Sequence, residues 1–232
     1  MGFNQRDRKQ SVKSLGLLVL QNLNNISRTE LFYKKMIKFM KLRKKERLIS
    51  MNYENKKILI AYYSRKGNNY VNGKIVNLIV GNTKVAADTI QLITGGDLFE
   101  IDTLKPYPAD YTTTTELAKD ELSANARPEL TDKVASMADY EIVFLGYPNW
   151  WGTMPMAVWS FLEAYDFAGK TIVPFCTNEG SGMGRSENDI RNLCPNANVK
   201  DGLAIRGSKV TSAEPDILRW LKKQFISSPT SI

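Results

Sequence analysis

Short apolar runs alternate with helical patterns along the chain from Lys57 onward, and this alternation constrains the fold more than any other feature. The first run, residues 58–63 (ILIAYY), is apolar throughout, as expected for a strand buried on both faces of a sheet. Similar runs follow at residues 98–101, 141–146 and 171–176, and a weaker one lies at 199–205. Five such strands that alternate with five helices predict an α/β domain with a parallel sheet, right-handed crossovers and helices on both faces.

The segments between the strands have the spacing of amphipathic helices. Apolar residues recur every three or four positions from Val85 to Ile93, and Gly95-Gly96 supplies a stop signal. Pro155 suits the first turn of another helix. Ser186 with Asp189 resembles a capping box at the start of a short helix. Two more helices are predicted around residues 117–122 and 217–225.

The positive charge of the chain is concentrated at its N-terminal end. The sequence has 32 Lys and Arg against 24 Asp and Glu, a formal charge of +8. Residues 1–50 hold 13 basic and 3 acidic residues, which leaves residues 51–232 with 19 basic and 21 acidic residues and a charge of −2. We therefore predict a basic N-terminal extension over residues 1–50 and one domain over 51–232. The apolar run 15–20 is too short to span a bilayer, so no membrane span is expected.

Three interpretations of residues 1–50 stay open. Met51 opens the stretch MNYENKKILIAYYS, which is typical of a bacterial start, and our preferred hypothesis is that translation begins there. A loosely ordered extension is the second interpretation. The third is a basic amphipathic helix for a membrane surface, since apolar residues between Tyr33 and Met40 would share one helical face among lysines. Aromatic residues interleave poorly with the basic ones, so no specific nucleic-acid partner is expected.

The absence of histidine excludes several classes of chemistry. A Ser–His–Asp or Cys–His catalytic unit cannot be built, nor can a His-ligated zinc site. The two cysteines, Cys176 and Cys194, are too few for a disulfide framework or a thiolate metal cluster. We expect both to be structural and no metal to be bound. Their number fits a reducing compartment, which predicts a cytoplasmic protein.

The loop after the first strand has the composition of a phosphate-binding turn. Ser64-Arg65 follows the strand, and Gly81-Asn82-Thr83 leads into the first helix after the intervening residues 66–80. Backbone N–H groups at a helix N-terminus, together with Ser and Thr hydroxyls, suit a phosphate. From these residues alone, a plain turn followed by a helix cap is an equally good interpretation.

The loop after the third strand contains two adjacent tryptophans. Residues 147–155 read YPNWWGTMP, and Trp150 with Trp151 would form a flat apolar wall at the carboxyl edge of the sheet. A planar aromatic ligand would cover this wall, while Asn149 and the turn amides could bond its polar edge. The alternative is that both rings pack beneath the following helix. We expect one ring to pack and the other to line the site.

The loop after the fourth strand is rich in glycine. Residues 177–186 read TNEGSGMGRS, with three glycines at alternating positions that let the backbone approach a ligand closely. A mobile loop before the next helix is the alternative. Because ligands of open parallel sheets bind at the carboxyl ends of the strands, the three loops together predict a slot for a flat heterocycle that carries a phosphate.

Residues 57–225 resemble the flavodoxin-like FMN-binding family in these three loops. The matching segments are Ser64 with Gly81-Asn82-Thr83, then residues 148–155, then residues 177–182. The resemblance implies a three-layer sandwich with a five-stranded parallel sheet of order 2-1-3-4-5, and FMN at the point where the strand order reverses. It implies no catalytic side chain, since the flavin carries the redox chemistry. The implied cofactor-binding residues are Ser64, Arg65, Gly81, Asn82, Thr83, Pro148, Asn149, Trp150, Trp151, Gly152, Thr177, Asn178, Glu179, Gly180, Ser181 and Gly182.

The chain departs from the family at the phosphate loop. A typical member has an uninterrupted Ser-x-Thr-Gly-Asn-Thr sequence, whereas residues 66–80 separate the two halves here. Asn72-Gly73 between apolar segments is a strong signal for a two-residue hairpin turn. We hypothesise a hairpin extruded from the phosphate loop, with Ser64, Asn82 and Thr83 still meeting the phosphate. The competing register uses Ser64, Gly67, Asn68 and Asn69.

The resemblance implies a redox protein that transfers electrons through a non-covalent flavin. The alternatives are an NAD(P)H-dependent quinone or FMN-type reductase and a non-enzymatic flavin-binding regulatory module. The expected partner is accordingly a redox protein or a small electron acceptor, and a homodimer stays open. Glu179 would lie near the flavin ring and could disfavour an anionic reduced flavin, although a solvated loop carboxylate is the favoured interpretation.

Overall fold

A parallel sheet with helices on both sides forms the described part of the chain, which in this computed structural model comprises residues 56–225. The predictions for residues 1–50 and for a start at Met51 lie outside the described residues. None of the helices within 56–225 is long and apolar enough to cross a membrane. The strands are β1 (Ile58–Tyr62), β2 (Gly67–Val71), β3 (Lys74–Leu78), β4 (Asp97–Glu100), β5 (Ile142–Pro148), β6 (Thr171–Asn178), β7 (Asn198–Val199) and β8 (Leu203–Arg206). The helices are α1 (Asn82–Thr94), α2 (Tyr111–Ser123), α3 (Met156–Glu163), α4 (Ser186–Leu193) and α5 (Glu214–Phe225).

The sheet has the strand order implied by the resemblance. Its order is β4-β1-β5-β6-β7, with all pairings parallel, and β8 also pairs with β6. Counted along the chain without the β2–β3 hairpin, this is 2-1-3-4-5, so the predicted fold class is confirmed. The carboxyl ends of β1, β5 and β6 therefore meet at one edge of the sheet.

The fifth strand is split into two short pieces, where one continuous strand was predicted. Residues 200–202 separate β7 from β8. The backbone N–H of Gly202 donates to Glu187 Oε1 of α4 at 2.7 Å instead of continuing the ladder. A Cβ at Gly202 would also lie 2.3 Å from the Met183 side chain. The break between β7 and β8 thus coincides with contacts to α4 and to the loop before it. The spacing of apolar residues along the sequence could not reveal these contacts.

The core lies on both faces of the central strands. All five residues of β1 are buried, as the first apolar run predicts. On β5, Val143 and Leu145 belong to the apolar cluster that packs against α3, whereas Phe144 meets Trp220 of α5 on the opposite face, with ring centroids 5.8 Å apart. The alternation of side chains along the strand therefore supplies both layers of the sandwich.

The capping box predicted at Ser186 is wrong. Arg185 precedes the first residue of α4, and no side chain caps this end of the helix. The Ser186 hydroxyl instead donates to the Met183 carbonyl at 2.6 Å and accepts from the buried Tyr147 hydroxyl at 2.9 Å. Asp189 accepts from the Thr153 hydroxyl at 2.5 Å. Both side chains therefore form tertiary contacts toward β5 and the loop after it.

The hairpin predicted from Asn72-Gly73 is present. Strands β2 and β3 pair antiparallel, with Val71 opposite Lys74. Asn72 and Gly73 both have positive φ, 48° and 88°, as a type I′ turn requires. The hairpin forms a separate two-stranded sheet.

Replacement of Gly146 by alanine tests the packing of the central strands. A Cβ at this position would lie 2.2 Å from the Phe175 ring of the neighbouring strand. We expect Gly146→Ala to lower the free energy of unfolding by roughly 1–3 kcal/mol, the usual cost of overpacking a core. Urea denaturation of the variant and the wild type measures this loss. In a background that carries Phe175→Leu, Gly146→Ala should lower the free energy of unfolding by less than it does beside phenylalanine. An unchanged unfolding midpoint for Gly146→Ala alone would contradict the prediction.

Candidate functional site

A cavity of about 500 Å³ lies at the carboxyl ends of β5 and β6 beside the start of α1. Most of the predicted cofactor-binding residues line it, namely Arg65, Asn82, Thr83, Pro148, Asn149, Trp150, Trp151, Thr177, Asn178, Glu179 and Ser181. The remaining predicted residues, Ser64, Gly81, Gly152, Gly180 and Gly182, belong to the same loops but are not part of the lining.

The two segments of the predicted phosphate loop meet at Gly81. A Cβ on Gly81 would lie 2.3 Å from Ser64 Oγ and 2.6 Å from the Arg65 carbonyl oxygen, so only glycine fits this approach. The Ser64 hydroxyl accepts a hydrogen bond from the Lys84 backbone N–H at 3.0 Å, in the first turn of α1. Ser64 therefore lies against the helix start although residues 66–80 separate the two segments.

The start of α1 is tied to the end of β6 by two hydroxyls. Thr83 Oγ1 and Thr177 Oγ1 are 2.8 Å apart, and both residues are buried. The first backbone N–H groups of a helix have no partner within the helix, and the helix dipole places partial positive charge there. This corner of the cavity therefore has the donors that an anion requires.

Arg65 lines the cavity, but its guanidinium is already engaged by protein acceptors. It donates to the carbonyl oxygens of Asn68, of Pro108 at 2.7 Å and of Ala109 at 2.9 Å, and to Thr114 Oγ1 at 3.1 Å. Desolvation lowers the pKa of this side chain below its usual value. Arg65 thus joins the base of the hairpin to the start of α2.

Both tryptophans line the cavity, whereas the prediction was that one ring packs and the other lines the site. The Trp150 ring stands edge-on to Tyr63 and Tyr107, with centroid distances of 5.4 and 5.1 Å. Trp151 is 53% exposed and has a positive φ of 55°. Its indole N–H donates to the Thr115 carbonyl at 2.8 Å, which fixes the ring beside α2. Trp151 thus offers an apolar surface at the cavity.

A second aromatic surface comes from residues that the sequence reasoning missed. Tyr70 of the hairpin stacks on Tyr111 of α2, with ring centroids 6.4 Å apart and an interplanar angle of 30°. Both residues line the cavity. The other missed lining residues are Thr115, Ala118 and Gly207, while Asn69 belonged to the competing register. Tyr70 could have been found from its position, because it is an aromatic residue two positions before the Asn72-Gly73 turn.

Asn149 joins the loop after β5 to the loop after β6, and Asn178 braces the second loop internally. Asn149 donates to the Gly182 carbonyl at 2.9 Å and accepts from the Gly152 N–H at 3.0 Å. Asn178 accepts from the N–H groups of Gly180 at 2.8 Å and Gly182 at 3.1 Å. The predicted glycines therefore take part through their backbone groups, and the bond between Asn149 and Gly182 connects the two loops.

The interpretation of Glu179 as a solvated loop carboxylate is wrong. Its side chain is only 11% exposed. The carboxylate accepts hydrogen bonds from the Ser208 N–H at 2.6 Å and the Ser208 hydroxyl at 3.1 Å, and it pairs with Arg206 at 3.4 Å. It also accepts from the Asn72 N–H at 3.3 Å, at the tip of the hairpin.

Both cysteines are buried as free thiols. Burial raises the pKa of Cys176 far above its usual range and that of Cys194 to about 11. Neither residue lines the cavity. Their chemistry is therefore that of small apolar side chains.

Comparison with known proteins identifies the family. A family model described as Flavodoxin matches residues 57–224. A candidate flavoprotein from Bacteroides uniformis ATCC 8492 is 28% identical over 72% of this chain and 98% of its own, with a TM-score of 0.58. Another, from Bacteroides eggerthii DSM 20697, is 29% identical over 70% and 98%, with a TM-score of 0.55. A search of curated protein sequences gave no significant match. Because the family model spans most of the chain, this protein belongs to the flavodoxin family.

Proposed function

We propose that this chain binds FMN non-covalently and transfers electrons through it. One observation carries the proposal: a single cavity combines the start of α1, which suits an anion, with two aromatic surfaces, Trp151 and the Tyr70–Tyr111 pair. A phosphate and a planar heterocycle are the two parts of FMN that these features suit. Membership of the flavodoxin family supports the same cofactor.

The phosphate would be held by the start of α1 and the hydroxyls beside it. Gly81 lies so close to Ser64 that a Cβ at Gly81 would clash with the Ser64 hydroxyl, which keeps Ser64 beside the start of α1. We assign the phosphate to Ser64, Asn82 and Thr83, and we call this assignment, in which the hairpin divides the phosphate loop, the split register. Thr177 orients the Thr83 hydroxyl through their 2.8 Å contact.

The ring would lie against the aromatic and amide groups of the lining. When bound, FMN supplies the redox chemistry. Arg65 and Glu179, the charged residues of the lining, are both hydrogen-bonded to protein partners. The described residues thus bind the flavin, orient it and shield part of it from water, and none is assigned a catalytic proton transfer.

A carrier role is favoured over a dedicated NAD(P)H reductase. A dinucleotide brings additional phosphates, and Arg65, the basic residue of the lining, is engaged with carbonyl oxygens. The sequence also has no Gly-x-Gly-x-x-Gly dinucleotide-binding motif. We propose that the electrons pass to a redox protein or a small acceptor in the cytoplasm.

The split register predicts which variants weaken FMN binding. Thr83→Ala and Asn82→Ala should each raise the dissociation constant about 10-fold or more, since a lost hydrogen bond to a charged group costs roughly 1.5–3 kcal/mol. Asn68→Ala, the control from the competing register, should bind as the wild type does. Titration of the apoproteins by quenching of flavin fluorescence measures all three. Unchanged affinity in the first two variants with weaker binding by Asn68→Ala would contradict the register.

The carrier role predicts slow turnover of nicotinamide. With FMN bound, the purified protein should oxidise NADH or NADPH in the presence of a quinone no faster than free FMN does at the same concentration. Steady-state absorbance at the nicotinamide band measures the rate. Saturable turnover well above the free-flavin rate would favour the reductase alternative instead.

The buried cysteines predict that thiols take no part in electron transfer. At pH 8 a thiol with a pKa of about 11 is roughly 0.1% thiolate, so Cys194 should react very slowly with a disulfide reagent, and the more deeply buried Cys176 should as well. The native protein should show no fast-reacting thiol, and the denatured protein should show two. A native thiol that reacts at the rate of free cysteine would contradict this expectation.

A further inference from the structure

The β2–β3 hairpin has little apolar packing of its own. Four of the five residues of β3 are exposed, and Ile75 and Val76 are 51% and 38% exposed. A lone two-stranded hairpin is marginally stable in water, so its position must come from contacts with the rest of the domain. Asn69 and Tyr70 of this hairpin line the cavity, so any movement of the hairpin moves part of the site.

Polar and aromatic contacts fasten the hairpin to the domain at three levels. At its base, Arg65 bridges the Asn68 carbonyl and the carbonyls before α2. At its middle, Tyr70 stacks on Tyr111 of α2. At its tip, the backbone N–H of Asn72 donates to Glu179 Oε2. The tip contact joins the hairpin to the loop after β6, which also lines the cavity.

Glu179 is itself held in place by a second set of donors. The Ser208 N–H at 2.6 Å binds Oε1, while the Ser208 hydroxyl and Arg206 Nε bind Oε2, which also receives the Asn72 N–H. With its side chain 11% exposed, the carboxylate is enclosed by these groups. Its charge is therefore taken up by protein donors, which leaves it poorly suited to contact the cofactor.

We propose that Glu179 is a positioning residue that latches the hairpin over the cavity and so retains FMN. The carboxylate anchors the hairpin tip to the turn after β8, and this holds Asn69 and Tyr70 in place as one wall of the site. The part of this inference that concerns retention rests on the proposed binding of FMN. The fastening of the hairpin itself does not depend on any cofactor.

The variant Glu179→Gln distinguishes a latch on the hairpin from a role confined to the turn after β8. The carboxamide introduced by Glu179→Gln has a single acceptor oxygen, which can still receive the Ser208 N–H, whereas its NH₂ group cannot accept from Asn72 or Arg206. A latch therefore predicts that Glu179→Gln behaves like Glu179→Ala at the hairpin. A role confined to the turn after β8 predicts that Glu179→Gln behaves like the wild type.

Glu187→Gln is the matched control. Glu187 also accepts a remote backbone N–H, that of Gly202 at 2.7 Å, but it lies on α4 and binds the β7–β8 turn instead of the hairpin. Its replacement removes a charge and changes a comparable hydrogen bond without touching the cavity lining.

Two measurements on the full chain test the latch. Hydrogen–deuterium exchange of the apoproteins should be about tenfold faster for the amides of residues 67–78 in both Glu179 variants, and unchanged there in Glu187→Gln. Stopped-flow dissociation of FMN should also be about tenfold faster in the Glu179 variants. Wild-type hairpin exchange in Glu179→Gln would overturn the latch, as would faster exchange with an unchanged FMN dissociation rate. If the wild type bound no FMN, the proposed function would fail, while the exchange data would still decide whether Glu179 fastens the hairpin.

Discussion

The close approach of Gly81 to Ser64 and Arg65 is the contact on which the site depends. Residues 66–80 leave the end of β1 and return to the start of α1, and the chain closes this excursion only because Gly81 has no side chain. Ser64 then reaches the first turn of α1, and Thr83 reaches Thr177 at the end of β6. The start of α1 thus lines the same cavity as the loops after β5 and β6.

The sheet and the main loops could be predicted because their signals are local. The apolar runs of β1, β5 and β6 mark strands buried on both faces, and Asn72-Gly73 marks a turn with positive φ at both residues. These features depend on the sequence within a few positions. The carboxyl ends of parallel strands then bring distant loops together by topology alone.

The errors arose where a tertiary contact decided the outcome. Ser186 has the residue type of a helix cap, but the buried Tyr147 hydroxyl donates to it. Glu179 lies in a glycine-rich loop whose composition predicts a solvated side chain, but hydrogen-bond donors from three other segments enclose its carboxylate. Tyr111 reaches the cavity because α2 packs beside the hairpin, and no periodic pattern gives the placement of one helix against a hairpin.

The central claim is that the cavity holds FMN, and the absorption spectrum of the purified protein tests it most directly. The isolated protein should show visible flavin absorption, or should recover it with one FMN per chain when FMN is added to apoprotein. Acid release followed by mass measurement should identify FMN as the chromophore. A colourless, folded protein that leaves the spectrum and fluorescence of added FMN unchanged would contradict the account.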